Sequence, residues 1–179
     1  MKISFCVGNG ESRQNFDISQ CRDVGPLYGS NAVYRDFHVD NLVVCDLRMA
    51  QEVINSGYYK QTNFYTRPKW TLLLKGDKQD INPLPDIPIW GQKKFHKSEH
   101  WGSGMFAAYL ACEQKSDIVI FIGYDLWGNL KNKLNNVYKN TPNYNKEDDR
   151  AVDPSHWIEQ FVLLFKHFPH TEFIFINDD

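Results

Sequence analysis

Short apolar runs that end in glycine, asparagine or aspartate recur along this 179-residue chain, and segments of helical spacing lie between them. That alternation is the pattern of a parallel β-sheet covered by helices, because parallel strands need a long crossover connection. Lys2 to Val7 reads as the first strand and ends in Gly8-Asn9-Gly10. Leu27 to Ser30 and Leu42 to Cys45 read as the next two. From Asp46, an N-cap residue, a helix is predicted through Met49, Val53 and Ile54, with Gly57 as its stop. Gly102-Ser103-Gly104 opens a second helix, which leads to the strand Ile118 to Ile122 and its end Gly123-Tyr124-Asp125. Asp153-Pro154 starts a third helix with Trp157, Phe161, Phe165 and Phe168 on one stripe, and Glu172 to Ile176 reads as the last strand.

Two stretches do not fit so simply. Between residues 58 and 90, Phe64 to Thr66, Trp70 to Leu74 and Ile87 to Trp90 are each compatible with a short strand, but Pro68, Pro83, Pro85 and Pro88 interrupt them. Residues 127 to 153 are polar, with seven asparagines between Asn129 and Asn145, and read as a long loop or lid. The expected architecture is therefore α/β: a single Rossmann-like domain over residues 1 to 179, with a mostly parallel sheet flanked by helices and a lid-like insertion at about 127 to 153.

Several classes of function fall away. Lys plus Arg number 20 against 22 Asp plus Glu, which is not the basic excess of a dedicated nucleic-acid binder. The apolar runs are far short of the ~20 residues of a membrane helix. Gly8 arrives before a signal-peptide apolar stretch develops, so a cytoplasmic protein is expected. Cys6, Cys21, Cys45 and Cys112 have no CxxC spacing and read as buried thiols. His96 and His100 stand i, i+4 without a third ligand, so no metal site is expected. Homo-oligomer formation is compatible with all of this.

In an open α/β sheet the ligand binds beyond the carboxyl ends of the strands. Those ends hold Gly8-Asn9-Gly10, Ser30-Asn31, Asp46, Gly123-Tyr124-Asp125 and Asn177, a small and polar set suited to a nucleotide. Arg13 occupies the place of the third glycine of a dinucleotide fingerprint, and no G-x-x-x-x-G-K-[ST] loop occurs. Gly102-Ser103-Gly104 puts free N–H groups and a helix dipole where a phosphate could sit. His156, in a first helical turn where positive charge is disfavoured, suits a general base.

The order Gly-Asn-Gly-x-Ser (Gly8 to Ser12), Asn31, Ser103-Gly104, an apolar strand ending Gly123-Tyr124-Asp125, a polar lid and then His156 resembles the bacterial sialyltransferases of glycosyltransferase family 42. Through Gly8-Asn9-Gly10-Glu11-Ser12 and Gly123-Tyr124-Asp125-Leu126 it is also similar to the motility-accessory-factor glycosyltransferases and to archaeal 6-hydroxymethylpterin diphosphokinases. The resemblance implies a metal-independent, inverting transfer from a nucleotide sugar such as a CMP-sugar, with no cofactor required. It implies that Asn9, Asn31, Ser103 and Gly104 contact the nucleotide, that Tyr138 and Tyr144 hold its phosphate, and that His156 deprotonates the acceptor hydroxyl. Gly8, Gly10, Ser12, Gly102 and Asp125 complete the expected nucleotide site. Glu11 and Arg13 depart from the family pattern, which has proline and leucine there. Two other readings remain. One is a non-catalytic binding or assembly module on the same fold, and the other is a Mg²⁺- and ATP-dependent diphosphokinase-like enzyme using Asp46 and Asp125. The chain is also rich in aromatics, with 5 Trp, 9 Tyr and 12 Phe. Trp101, Trp127 and Trp157 adjoin site residues and are expected to border one cleft.

Overall fold

The computed structural model describes residues 1–88, 91–129 and 131–176. Seven strands form one all-parallel sheet: β1 (Ile3–Val7), β2 (Leu27–Ser30), β3 (Asn41–Val44), β4 (Asn63–Thr66), β5 (Ile81–Pro83), β6 (Ile118–Ile122) and β7 (Glu172–Ile176). Four helices accompany them: α1 (Leu47–Ser56), α2 (Pro68–Leu73), α3 (Ser103–Glu113) and α4 (Ser155–His167). The architecture is an α/β Rossmann-like fold, as the alternation of segments predicts.

The spatial order is β5-β4-β3-β2-β1-β6-β7. The chain thus steps outward from β1 to β5, crosses back through α3, and resumes on the other side of β1. Phe5 pairs with Leu27 on one side and with Ile120 on the other, so β1 lies where the direction of winding reverses. Such a switch point leaves a crevice at the carboxyl ends of the two strands that flank it, here β1 and β6.

Two apolar layers sandwich the sheet. On one face Phe5, Val7, Leu42, Val44 and Phe64 pack with Met49, Ala50 and Val53 of α1, and Tyr138 from the long segment joins them. On the other, Cys6, Val43, Val119 and Phe121 pack under Met105, Ala108 and Cys112 of α3 and Phe161 and Leu164 of α4. The helix α1 begins and ends as its sequence predicts. Asp46 accepts from the N–H groups of Arg48 and Met49, and Gly57 closes the helix at φ +77°, a left-handed conformation that glycine adopts freely. Cys6, Cys21 and Cys112 are buried, Cys45 half-buried, and all four are free thiols.

Three expectations are corrected. Trp70 to Leu74 is not a strand: Pro68 sits in the first turn of α2, where its missing N–H costs nothing, and Trp70 to Leu73 continue that helix. The fifth strand is Ile81–Pro83, which sequence reasoning passed over. It lies at the sheet edge, where a proline is tolerated. Ile87 and Pro88 are outside any strand, and Ile89 and Trp90 lie outside the described residues. Residues 127–153 carry no helix or strand among those described, apart from an antiparallel bridge between Lys133 and Arg150. Among the described residues no helix is long and apolar enough to cross a membrane.

Candidate functional site

The crevice at the switch point is a cleft of about 310 Å³. Its floor is the pair of strand ends. Gly8 N–H donates to Ile122 O and Gly10 N–H to Gly123 O, both at 2.8 Å, so the two turns run against each other. No side chain fits between them. A Cβ on Gly8 would lie 2.3 Å from Gly123 O, and one on Gly10 would lie 2.3 Å from Asp125 Cγ. Gly123 itself is at φ +68°. These glycines are therefore required first by the approach of β1 to β6, and the open cleft above them follows from it.

Asn9, Asn31, Gly102, Ser103, Gly104 and Asp125 all line this cleft, together with Gly8 and Gly10. Eight of the sequence-predicted residues thus converge from four separate turns of the chain. Each polar group has an identifiable support. Asn9 donates through Nδ2 to Ser30 O at 3.2 Å and to the Tyr144 hydroxyl at 3.1 Å, while its buried Oδ1 has no partner. Ser103 Oγ accepts from Cys45 N–H at 2.9 Å and donates to Asn31 Oδ1 at 2.7 Å. That hydroxyl therefore spends its proton on orienting Asn31, which sits at φ +53°. Asp125 accepts from Ser12 N–H at 2.9 Å and from the Ser12 hydroxyl. Ser12 does not line the cleft; it holds the carboxylate that does.

The N-terminus of α3 opens onto the cleft through Gly102, Ser103, Gly104 and Met105. The first N–H groups of a helix have no acceptor within it, and α3 has no side-chain cap. Trp127, Leu134, Trp157 and Phe161 supply apolar walls. Among the described lining residues there is no Lys, Arg or His, and Asp125 is the one carboxylate.

Five expected participants stand elsewhere. Tyr138 is buried in the core beneath the segment, where its hydroxyl donates to Asp36 Oδ2 and accepts from Arg13 Nη2, each at 2.6 Å. Burial and the adjacent Asp36 carboxylate both raise its pKa. Tyr144 meets Asn9 from behind and also accepts from Ala32 N–H at 3.3 Å; burial pushes its pKa up to about 12. Both tyrosines are thus structural ties of the long segment rather than cleft walls. His156 lies in the first turn of α4, packed against Phe95 at 5.2 Å and Trp157 at 4.6 Å between ring centroids, one residue behind the cleft wall. Trp101 is fully buried against Phe106 and does not border the cleft, whereas Trp127 and Trp157 do. Asp46 is engaged as the α1 cap and is not part of the lining, so the two carboxylates of the diphosphokinase reading do not share this cleft. Asn177 lies outside the described residues.

Sequence reasoning missed Asn135, Asn136, Leu126 and Leu134, which also line the cleft. The asparagine-rich composition of their segment was the available signal. It also missed the work of the two departures from the family pattern, since Glu11 pairs with Lys139 and Arg13 with Asp36 at 2.9 Å. No protein-family model, curated protein or solved structure matches this chain.

Proposed function

We propose that the switch-point cleft binds a nucleotide and that the chain uses a nucleotide sugar as donor in a glycosyl transfer. The observation that carries this reading is the convergence of Asn9, Asn31, the α3 N-terminus and Asp125 on one small cleft. Two carboxamides suit a base or ribose, and the N–H groups of a helix start without a side-chain cap suit a phosphate in a cleft whose described lining has no cationic side chain. In the transfer an acceptor oxygen bonds to the anomeric carbon, the bond from that carbon to the phosphate oxygen breaks, and the nucleotide leaves as an anion. The acceptor's proton passes to a protein base. Under the family resemblance that base is His156; of the groups lining the cleft, Asp125 is the basic one.

The test is a thermal-shift series with CMP, UMP, GMP and AMP, followed by donor turnover with CMP- and UDP-sugars. A nucleotide is expected to raise the melting temperature, and His156→Ala to abolish turnover while leaving that shift intact. Absence of any shift at millimolar nucleotide would sink the reading. The packing of His156 on Phe95, outside the cleft, favours a second reading in which the fold binds a nucleotide without catalysis. That reading expects the same thermal shift with no turnover of any donor.

A further inference from the structure

A second hollow, of about 670 Å³, adjoins the cleft and shares Asp125, Trp127 and Asn135 with it. Its chemistry differs from that of the first. Trp127 stands at the junction and is 65% exposed, while Phe175 of β7 adds a half-exposed ring to the same hollow. An indole left this far in water forgoes the burial that large aromatic rings otherwise obtain, so a ligand that covers it gains that burial back. The polar lining is rich in amides and carboxylates, with Glu11, Gln14, Asn15, Asp125 and Asn135 beside the hydroxyls of Ser12 and Tyr124. Asn135 Oδ1 accepts from Glu11 N–H at 2.8 Å, which fixes the amide and leaves its NH₂ as a donor. Glu11 is tied through one oxygen to Lys139, and the other remains an acceptor. Lys139 offsets the charge of Glu11, and with no Lys, Arg or His among the described lining residues Asp125 makes the hollow unfavourable to anions.

An open aromatic face bordered by amide and carboxylate groups fits a neutral, hydroxyl-rich ring, whose C–H face stacks while its hydroxyls take up the hydrogen bonds. We propose that this hollow is the acceptor subsite for a neutral saccharide, with Trp127 as its stacking platform. The proposal rests on the reading of the adjoining cleft as the donor site, and the continuity of the two hollows at Asp125 brings an acceptor hydroxyl beside a bound donor.

The experiment is saturation-transfer NMR on the intact chain with lactose, cellobiose and N,N′-diacetylchitobiose, each with and without CMP, and with 3′-sialyllactose as the anionic control. At least one neutral disaccharide is expected to receive saturation through its ring C–H protons, more strongly than sialyllactose. Trp127→Ala is expected to weaken its binding about tenfold, the ratio that ~1.4 kcal/mol of lost stacking and burial produces. Trp127→Phe should restore most of it. Because Trp127 is exposed, the alanine variant should keep its melting temperature, and Gln14→Ala, at a residue that lines the second hollow and not the cleft, should weaken sugar binding while leaving the response to CMP unchanged. If CMP binds but none of the three neutral sugars does, or if Trp127→Ala leaves their binding unchanged, the proposal is overturned while the donor reading stands. Sugar binding in a protein that no nucleotide stabilises overturns the acceptor role together with that reading.

Discussion

Gly10 and Asp125 compete for one volume, and the outcome decides the shape of the cleft. A methyl at position 10 would fall within 2.3 Å of the carboxylate carbon, so Asp125 would have to swing away from Ser12. Gly10→Ala is therefore expected to cost about 1–3 kcal/mol in urea unfolding, through strain and lost hydrogen bonds, and to remove any nucleotide-dependent stabilisation. Gly57→Ala makes the useful contrast. Nothing lies within 4 Å of the added methyl, but φ is +77°, so about 1 kcal/mol of backbone strain is expected with the cleft unaffected. Equal nucleotide responses in the two variants would contradict this account. Tyr144 acts at the same scale from behind the site. Its hydroxyl accepts from Asn9 Nδ2, and removing it in Tyr144→Phe should cost about 1 kcal/mol and weaken nucleotide binding, although the ring is no part of the cleft. The resemblance implied that Tyr144 holds a phosphate, whereas its hydroxyl instead accepts from Asn9 Nδ2 and Ala32 N–H outside the cleft lining. It could not distinguish a side chain that touches a phosphate from one that steadies Asn9, because both roles ask for a hydroxyl at that position.

At the scale of elements, legibility followed cap chemistry and continuous apolar runs. Asp46 and Gly57 bracket α1, Gly102-Ser103-Gly104 opens α3, and the strand ends at Gly8, Ser30 and Gly123 could be read directly, because each depends on local conformational preference. The stretch from 58 to 90 was opaque for a physical reason. Leu72 and Leu73 of α2 are exposed, so the helix presents no apolar stripe, and Pro68 reads as a strand breaker unless its place at a helix start is known. Strand β5 is three residues long and takes its identity from pairing with β4, which is information the local sequence does not carry. The candidate site was legible where it consists of strand ends and a helix start. It was illegible where it consists of Leu134, Asn135 and Asn136, whose position depends on how a long segment folds back. The cap also separates two of the functional readings. Asp46→Asn keeps an acceptor for Arg48 and Met49 and should leave stability and ligand binding near wild type, whereas Asp46→Ala should cost about 1 kcal/mol. A diphosphokinase that needed the Asp46 carboxylate would lose activity in both variants.

Across the whole molecule, residues 127–153 are held by contacts from three parts of the chain, and among the described residues their one β-bridge joins Lys133 to Arg150. Val137 N–H donates to Asn9 O at 2.8 Å, Arg35 reaches Thr141 Oγ1 and Pro142 O, and Asn143 donates to Glu52 Oε2 at 2.7 Å. Glu52 is the hub on the α1 side, because it also accepts from Tyr34 and takes a two-pronged ion pair from Arg35. Partial burial acts to raise its pKa, but the hydrogen bonds from Tyr34, Arg35 and Asn143 together outweigh that and hold it below the usual 4.5. A carboxylate whose pKa is lower in the folded state stabilises that state fully above about pH 4.5. The contribution is lost as the pH falls through the lower, folded value. Because Glu52 is partly exposed and its partners Arg35 and Asn143 fasten the segment, the effect belongs to that attachment rather than to global stability. Hydrogen-exchange protection of amides 138–146, corrected for intrinsic rates, should therefore hold steady in the wild type down to about pH 4.5 and fall below it. In Glu52→Gln the protection should already be reduced at neutral pH and should change little on acidification. Because Asn9 is bound both by Tyr144 and by Val137, the same variant should also weaken nucleotide-dependent stabilisation at neutral pH. Protection in Glu52→Gln that matches the wild type at pH 7 would show that the segment stays fastened without this carboxylate.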